Sequence, residues 1–265
     1  MSIKNKKDTF DSILSDETSG STELLSNLND YFMSIINDPE KIRKDSQTVK
    51  NELIDFTAIM NYIKQLDVFI DKNDKEGLDN FLKVYSKNTE NTFNKIFENC
   101  VPYLKDKSKI LTLSNSKTLF EIFKRLKKLN GELEITVCES DPAKEGIILA
   151  ERLSKIGIKT KVIPDASMSQ YIRKSDAVVI GADKILGNGN VVNKIGSSNA
   201  AIIAKYFKIP FLVLSAKEKF SSKKSYKIKK ENPADILNER LKNLKIQNPY
   251  FEEIESNLIT KIISD

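Results

Sequence analysis

From residue 23 to about residue 105, apolar side chains recur at intervals of three and four. Leu24, Leu25, Leu28, Tyr31, Phe32, Ile35 and Ile36 define one helical face, and Val49, Leu53, Phe56, Ile59, Met60 and Ile63 repeat it. Phe81, Leu82, Tyr85, Phe93, Ile96 and Phe97 extend the pattern, with Asp38-Pro39 and residues 71–75 as the breaks. These stripes predict a module of packed helices. Residues 1–22 are polar, with Ser, Thr and Gly gathered near the end, and read as a frayed lead-in to the first helix.

After Pro102 the period changes. Short apolar runs at residues 109–113, 133–138, 160–163, 177–180 and 211–215 read as buried strands. Between them, residues 118–129, 143–156, 167–173 and 193–206 read as helices, with Gly157 as a helix-ending residue. Alternation of this kind implies a doubly wound, Rossmann-like parallel sheet with helices on both faces. Residues 233–244 and 254–263 read as two further helices. The expected fold class is therefore α/β, with a helical amino-terminal module (residues 1–105) and a Rossmann-like domain carrying carboxyl-terminal dimerisation elements (residues 106–265).

Composition narrows the chemistry. The 265 residues include two cysteines and no histidine. That removes imidazole acid–base catalysis, Ser-His-Asp triads and His-ligated zinc, and two isolated cysteines make neither a metal site nor a disulfide framework. No metal and no cofactor is expected. Cys138 lies inside an apolar run and reads as a small core residue. No run is long enough to cross a membrane and no secretory leader is evident, so the cytoplasm is the expected compartment. The net charge of +6 permits an acidic partner. Its sharpest cluster, residues 217–230, interleaves Phe220 and Tyr226 with lysines but reads as a solvated loop, and a nucleic-acid partner is not expected.

The ends of successive strands in such a sheet converge on one crevice. They carry Ser114, Asn115 and Ser116, then Glu139, then Asp165 and Asp183. Asn193, read as the cap of the following helix, would bring Lys194, Gly196 and a helix amino terminus beside Asp183, which suits an anion. Hydroxyls, an amide, carboxylates and a lysine suit a sugar phosphate or a nucleotide. Neither a Gly-x-Gly-x-x-Gly turn nor a Walker A sequence is present.

Gly181-Ala182-Asp183, Asn188-Gly189 and Asn193-Lys194-Ile195-Gly196 together resemble a family signature. That family unites the alpha, beta and delta subunits of initiation factor 2B with methylthioribose-1-phosphate and ribose-1,5-bisphosphate isomerases. The segment from Leu111 to Ser116, Glu139-Ser140-Asp141-Pro142 with Gly146, and Asn248-Pro249-Tyr250-Phe251 are similar to its other motifs, in the same order. The resemblance implies that the isomerases pair a cysteine at the position of Ser114 with the aspartate at Asp183. It also implies arginines where Asp141 and Ser19 stand here. These departures remove the thiol and reverse a charge at an expected phosphate clamp. The expectation is thus a non-catalytic, initiation factor 2B-like regulatory subunit. It would be homodimeric, with the alpha subunit of initiation factor 2, or a sugar phosphate or nucleotide, as partner. Ser114, Asn115, Ser116, Glu139, Asp183, Asn193, Lys194 and Gly196 are its candidate ligand residues. The alternative is an aldose–ketose isomerase acting through Asp183, with Glu139 as a second acid.

Overall fold

Asp38 and Asp74 open helices by accepting the N–H groups of Lys41 (3.0 Å) and Gly77 (2.8 Å), and Pro39 fills a first helical position. The computed structural model describes residues 6–16, 19–54, 56–227, 232–237, 239 and 243–265. Its amino-terminal helices are α1 (Lys6–Leu14), α2 (Ser21–Ser34), α3 (Pro39–Glu52), α4 (Thr57–Asp71) and α5 (Lys75–Leu104). Their apolar stripes meet in one core around Leu24, Leu28, Phe32, Ile59, Ile63 and Leu66, all fully buried.

Helix α1 departs from the frayed lead-in expected for residues 1–22. Phe10 and Ile13 are buried, and Phe10 stacks on Tyr31 with ring centroids 4.7 Å apart. Phe10, Ile13 and Leu14 are too few and too close together in a polar stretch to register as a period, yet enough to dock one short helix. Helix α5 runs for 30 residues, about 45 Å at 1.5 Å per residue. Leu78 and Leu82 near its start belong to the helical core, while Ile96, Cys100 and Leu104 belong to the core under the sheet. One continuous rod thereby joins the two packing units.

The remaining chain alternates. In order come β1 (Lys109–Leu113), α6 (Lys117–Leu129), β2 (Glu134–Cys138), α7 (Glu145–Lys155) and β3 (Lys159–Ile163). Then follow α8 (Met168–Ile172), β4 (Ala177–Ile180), β5 (Lys184–Ile185), β6 (Val191–Lys194), α9 (Ser197–Phe207) and β7 (Phe211–Leu214). Strands β8 (Phe251–Ile254) and β9 (Lys261–Ile263) close the chain. Six of the strands form a wholly parallel sheet in the order β3-β2-β1-β4-β7-β9. The sequence order reverses between β1 and β4, so a crevice opens at the carboxyl ends of those two strands.

Three readings of the pattern are corrected. Asn193 does not cap a helix; it sits inside β6, which pairs antiparallel with β5 and β8 in a second, three-stranded sheet. The Gly187-Asn188-Gly189-Asn190 turn is therefore a hairpin turn, with Gly189 at φ +85°. Residues 254–263 are not helical: they end β8, make a short 3₁₀ turn (Ser256–Leu258) and add β9 to the edge of β7. Pairing with waiting sheet edges overrides a weak helical period there. Of the helix expected at residues 233–244, the described part is a 3₁₀ turn at Pro233–Asp235; residues 238 and 240–242 lie outside the described residues. Among the described residues no helix is long and apolar enough to cross a membrane.

Gly146, near the start of α7, packs against the end of β2 so closely that a Cβ would lie 1.8 Å from the Cys138 carbonyl oxygen. Because that neighbour is backbone, the helix must retreat from the strand to accept a methyl group. Gly146→Ala is expected to destabilise the fold by about 1–3 kcal/mol or more, read as a lower denaturation midpoint at an unchanged slope.

Candidate functional site

The chain turns sharply where β1 and β2 end. Ser114 and Ser140 both adopt left-handed backbone, at φ +63° and +64°. The Ser114 N–H donates to Ser140 Oγ (2.7 Å), and the N–H groups of Ser140 and Asp141 donate to the two carboxylate oxygens of Asp165 (3.0 and 2.8 Å). Asp165 is thus an internal acceptor that holds two strand ends together. Ser116 caps α6, its Oγ accepting the Leu119 N–H at 3.3 Å.

The turn after β1, Leu113 to Lys117, forms one wall of a cavity of about 320 Å³ at the switch point. The volume suits a small metabolite. Ser114, Asn115, Ser116, Asp183, Asn193 and Lys194 all line it, whereas Glu139 and Gly196 do not. Glu139 follows the last residue of β2, and its backbone carbonyl accepts the Gly146 N–H. Gly196 instead starts α9, at φ +96°.

The expected anion site at the amino terminus of α9 is taken by the protein itself. The Ser198 N–H donates to Glu252 Oε1 at 2.8 Å, and the N–H groups of Gly196 and Ser197 also favour that carboxylate. Burial nonetheless pushes the Glu252 carboxyl above its usual range. Glu252 arrives there because β8 pairs with β6, Glu252 opposite Asn193. Asn193 Nδ2 donates to Ser197 Oγ at 2.9 Å, which in turn donates to the Lys194 carbonyl at 2.6 Å.

Lys194 is itself buried, only 5% exposed. Its ammonium pairs with Glu145 in the first turn of α7 and lies 3.5 Å from the centroid of the Tyr250 ring. A second buried lysine, Lys219, donates to the Ala182 carbonyl at 2.7 Å, beside Asp183. Burial raises the Asp183 carboxyl above its ordinary range, and Lys219 and Lys194 oppose the shift. Glu145 is likewise raised by burial against the pull of Lys194, and Lys219 is lowered by burial against Asp183 and Glu218. The floor is therefore two carboxylates interleaved with two ammonium groups.

Glu145, Lys219 and Tyr250 are among the lining residues absent from the candidate ligand residues of the sequence. Lys219 sits in a lysine-rich run where composition cannot single out one buried member. Glu145 had a readable signal: it precedes a glycine that must touch a strand end, so it opens a helix facing the crevice. The helical module supplies the opposite wall through Ser19, Gly20, Thr22, Leu53 and Phe56. Among the described residues no cluster of three or more His, Cys, Asp or Glu side chains could hold a metal ion.

The sequence profile of the initiation factor 2 subunit family matches residues 6–265. The chain belongs to that family. Within the family it is 32% identical over 168 residues to a ribose 1,5-bisphosphate isomerase of Methanocaldococcus jannaschii, covering 61% of this chain and 54% of that protein. It is 36% identical over 148 residues to the translation initiation factor eIF2B subunit alpha of Dictyostelium discoideum, covering 56% of this chain and 44% of that one. The chain thus spans about half the length of these curated relatives. Its fold is that of a Pyrococcus horikoshii translation initiation factor eIF-2B, with a TM-score of 0.84 at 21% identity over 99% of this chain and 96% of that one. A 5-methylthioribose 1-phosphate isomerase from the same organism superposes with a TM-score of 0.82 at 19% identity, over 98% of this chain and 83% of that one. At such identities the likeness carries the fold alone.

Against the family pattern, Ser114 stands where the resemblance puts the isomerase cysteine. Asp141, in place of an arginine, is exposed and faces Lys144 at 3.7 Å. The two thiols the chain does possess are fully buried elsewhere, and burial pushes both up to about 12. Native protein at pH 8 is expected to react with neither equivalent of a thiol reagent such as dithionitrobenzoate over minutes, and with both after unfolding. Rapid labelling of one thiol in the native state would overturn this reading of the core.

Proposed function

We propose that this chain is a non-catalytic, initiation factor 2B-like regulatory subunit whose crevice holds a small phosphorylated ligand. The observation that carries the reading is Ser114 at the end of β1, fixed in left-handed backbone and lining the same cavity as Asp183. Moving a proton between neighbouring carbons of a sugar needs a second acid–base group near neutral pKa. A thiol, with a free pKa of about 8.5, can serve; an unassisted serine hydroxyl cannot, and no histidine exists to assist it. Residues 106–265 would carry the ligand site and the homodimer contact, and the helical residues to about 105 would close the crevice. The alpha subunit of initiation factor 2 is the protein partner this reading assigns.

A second reading rests on Asp183 itself. Its raised carboxyl is suited to proton transfer, and relatives named ribose 1,5-bisphosphate isomerase share about a third of the aligned residues. The two readings separate in one experiment: an isomerase assay with ribose 1,5-bisphosphate and methylthioribose 1-phosphate, beside a thermal-shift screen of sugar phosphates and nucleotides. The expected result is no turnover and a rise in melting temperature with at least one phosphorylated compound. Turnover that Asp183→Asn abolishes would sink the regulatory reading. No shift with any compound would overturn its ligand-binding part.

A further inference from the structure

The net charge of +6 is not spread evenly over the molecule. All six strands of the large sheet run parallel, so each begins at the end opposite the crevice. The segments that lead into them, residues 105–109, 127–134, 155–159, 173–176, 205–210 and 259–261, therefore share one face, the underside. They hold 12 of the chain's 43 basic residues and 4 of its 37 acidic ones, a net charge of +8 that leaves the rest of the chain at −2. The lysine run at residues 217–230 starts after the end of β7 and so begins on the crevice side instead.

Hydrogen bonds knit these segments into one strip. The Glu134 N–H donates to the Ser108 carbonyl (2.7 Å), Asp176 to Lys109 (2.7 Å), Val178 to Pro210 (2.8 Å) and Thr260 to Phe211 (2.8 Å). Lys109, Glu134 and Lys159 stand side by side on three neighbouring strands. Part of the charge has a local use. Helices α5 to α9 end on this face, and each carboxyl terminus carries about half a negative charge that a nearby lysine offsets. Five such ends account for roughly 2.5 charges, well short of the surplus. Lys159 pairs with Glu132 at 3.0 Å, and Lys127 donates to the Gly131 carbonyl at 2.6 Å. Lys105, Lys109, Lys128, Arg173, Lys174 and Lys208 are exposed and form no ion pair among the described residues.

We propose that this underside docks the phosphate backbone of a nucleic-acid duplex. Charge density favours that partner. Six strands about 4.8 Å apart span roughly 24 Å, which sets the 12 cations at about one per 2 Å of the strip. A duplex carries about one charge per 1.7 Å of its axis. An extended acidic peptide reaches at most about one per 3.3 Å. A lipid surface calls for apolar insertion besides charge, and the exposed aliphatic side chains here, Leu129 and Ile156, come singly from the ends of α6 and α7. Eleven of the 12 cations are lysines, point charges that suit phosphates better than base edges. The one side-chain amide of these segments, Asn130, is already engaged by the Lys107 carbonyl and Ser108 Oγ, both at 3.2 Å. The contact is thus with the backbone and not with the bases.

The test is fluorescence anisotropy of a labelled RNA duplex of about 20 base pairs with the full chain. Six or more phosphate contacts should weaken binding about a thousandfold between roughly 50 and 200 mM salt. Lys105→Glu, Lys128→Glu and Lys174→Glu together should weaken it at least tenfold at about 100 mM and flatten the salt dependence. The control triple Lys64→Glu, Lys72→Glu and Lys87→Glu changes the net charge equally at exposed positions of the helical module. It should stay within about threefold of wild type, because charges more than about 10 Å away are screened at that salt. Equal losses in the two triples, or a salt dependence below tenfold, overturn the proposal. Tighter binding of polyglutamate or of phosphatidylserine vesicles than of the duplex also overturns it, assigning the face to an acidic peptide or to lipid. The salt series on wild type needs no variant, so it decides even if a triple variant does not fold.

Discussion

Lys194 holds a full positive charge out of water, and its partners come from distant stretches of the chain. Glu145 reaches it from the first turn of α7, and Tyr250 from the segment just before β8. Each partner is placed by the backbone. Gly146 lets α7 approach the end of β2, and the pairing of β6 with β8 sets Lys194 opposite Phe251. The charge cluster thereby pins the small antiparallel sheet to the end of the large parallel one. Removing one member of such a buried pair strands the other, a loss of about 3–5 kcal/mol where it has been measured. A hydrophobic cluster of the same volume would hold the fold as well. The polar version is intelligible because it also forms the floor of the crevice.

A second joint links the helical module to that floor. The 3₁₀ turn Lys217–Lys219 follows β7 and docks on the helices: Asn61 Nδ2 donates to the Glu218 carbonyl at 3.0 Å and the Tyr85 hydroxyl to the Glu218 carboxylate at 3.0 Å. The next residue, Lys219, bonds the Ala182 carbonyl beside Asp183. Two adjacent residues thus face opposite ways, one toward α4 and α5 and one toward the site. A shift of the helices that disturbed Glu218 would be felt at Lys219, and through it at the Asp183 carboxyl. Helix α5 limits such shifts, since its two halves belong to the two cores.

Much of this was legible in the sequence, and the failures share a cause. The helical stripes of residues 23–105 and the strand runs at residues 109–113 and 177–180 carry strong periods, and the structure follows them. Ser114, Asn115, Ser116 and Asp183 line one cavity, as the convergence of strand ends in a doubly wound sheet leads one to expect. An asparagine just before a helix reads as its cap; β8, nearly sixty residues later, makes Asn193 a strand residue instead. Glu252 then occupied the helix terminus left for a ligand. Long-range pairing of short strands leaves no local signature, and that is also why residues 254–263 were misread. Glu145 and Lys219 were missed because burial, not identity, sets them apart from the chain's other charges.

Asp183 and Ser114 line one cavity, and on the non-catalytic reading proposed above the aspartate needs a role other than catalysis. Its surroundings answer in part. With Lys219 and Lys194 opposing the effect of burial, the carboxyl is one element of a four-membered charge array whose other acid is Glu145. Taking Asp183 away would leave Lys219, itself only 5% exposed, without the larger of the two negative charges that oppose its burial. The aspartate therefore has a structural reason to remain, independent of catalysis. On the reading proposed above, a scaffold of this kind can carry serine at residue 114 and keep its cavity, because the charges that shape the cavity floor belong to Asp183, Glu145, Lys194 and Lys219.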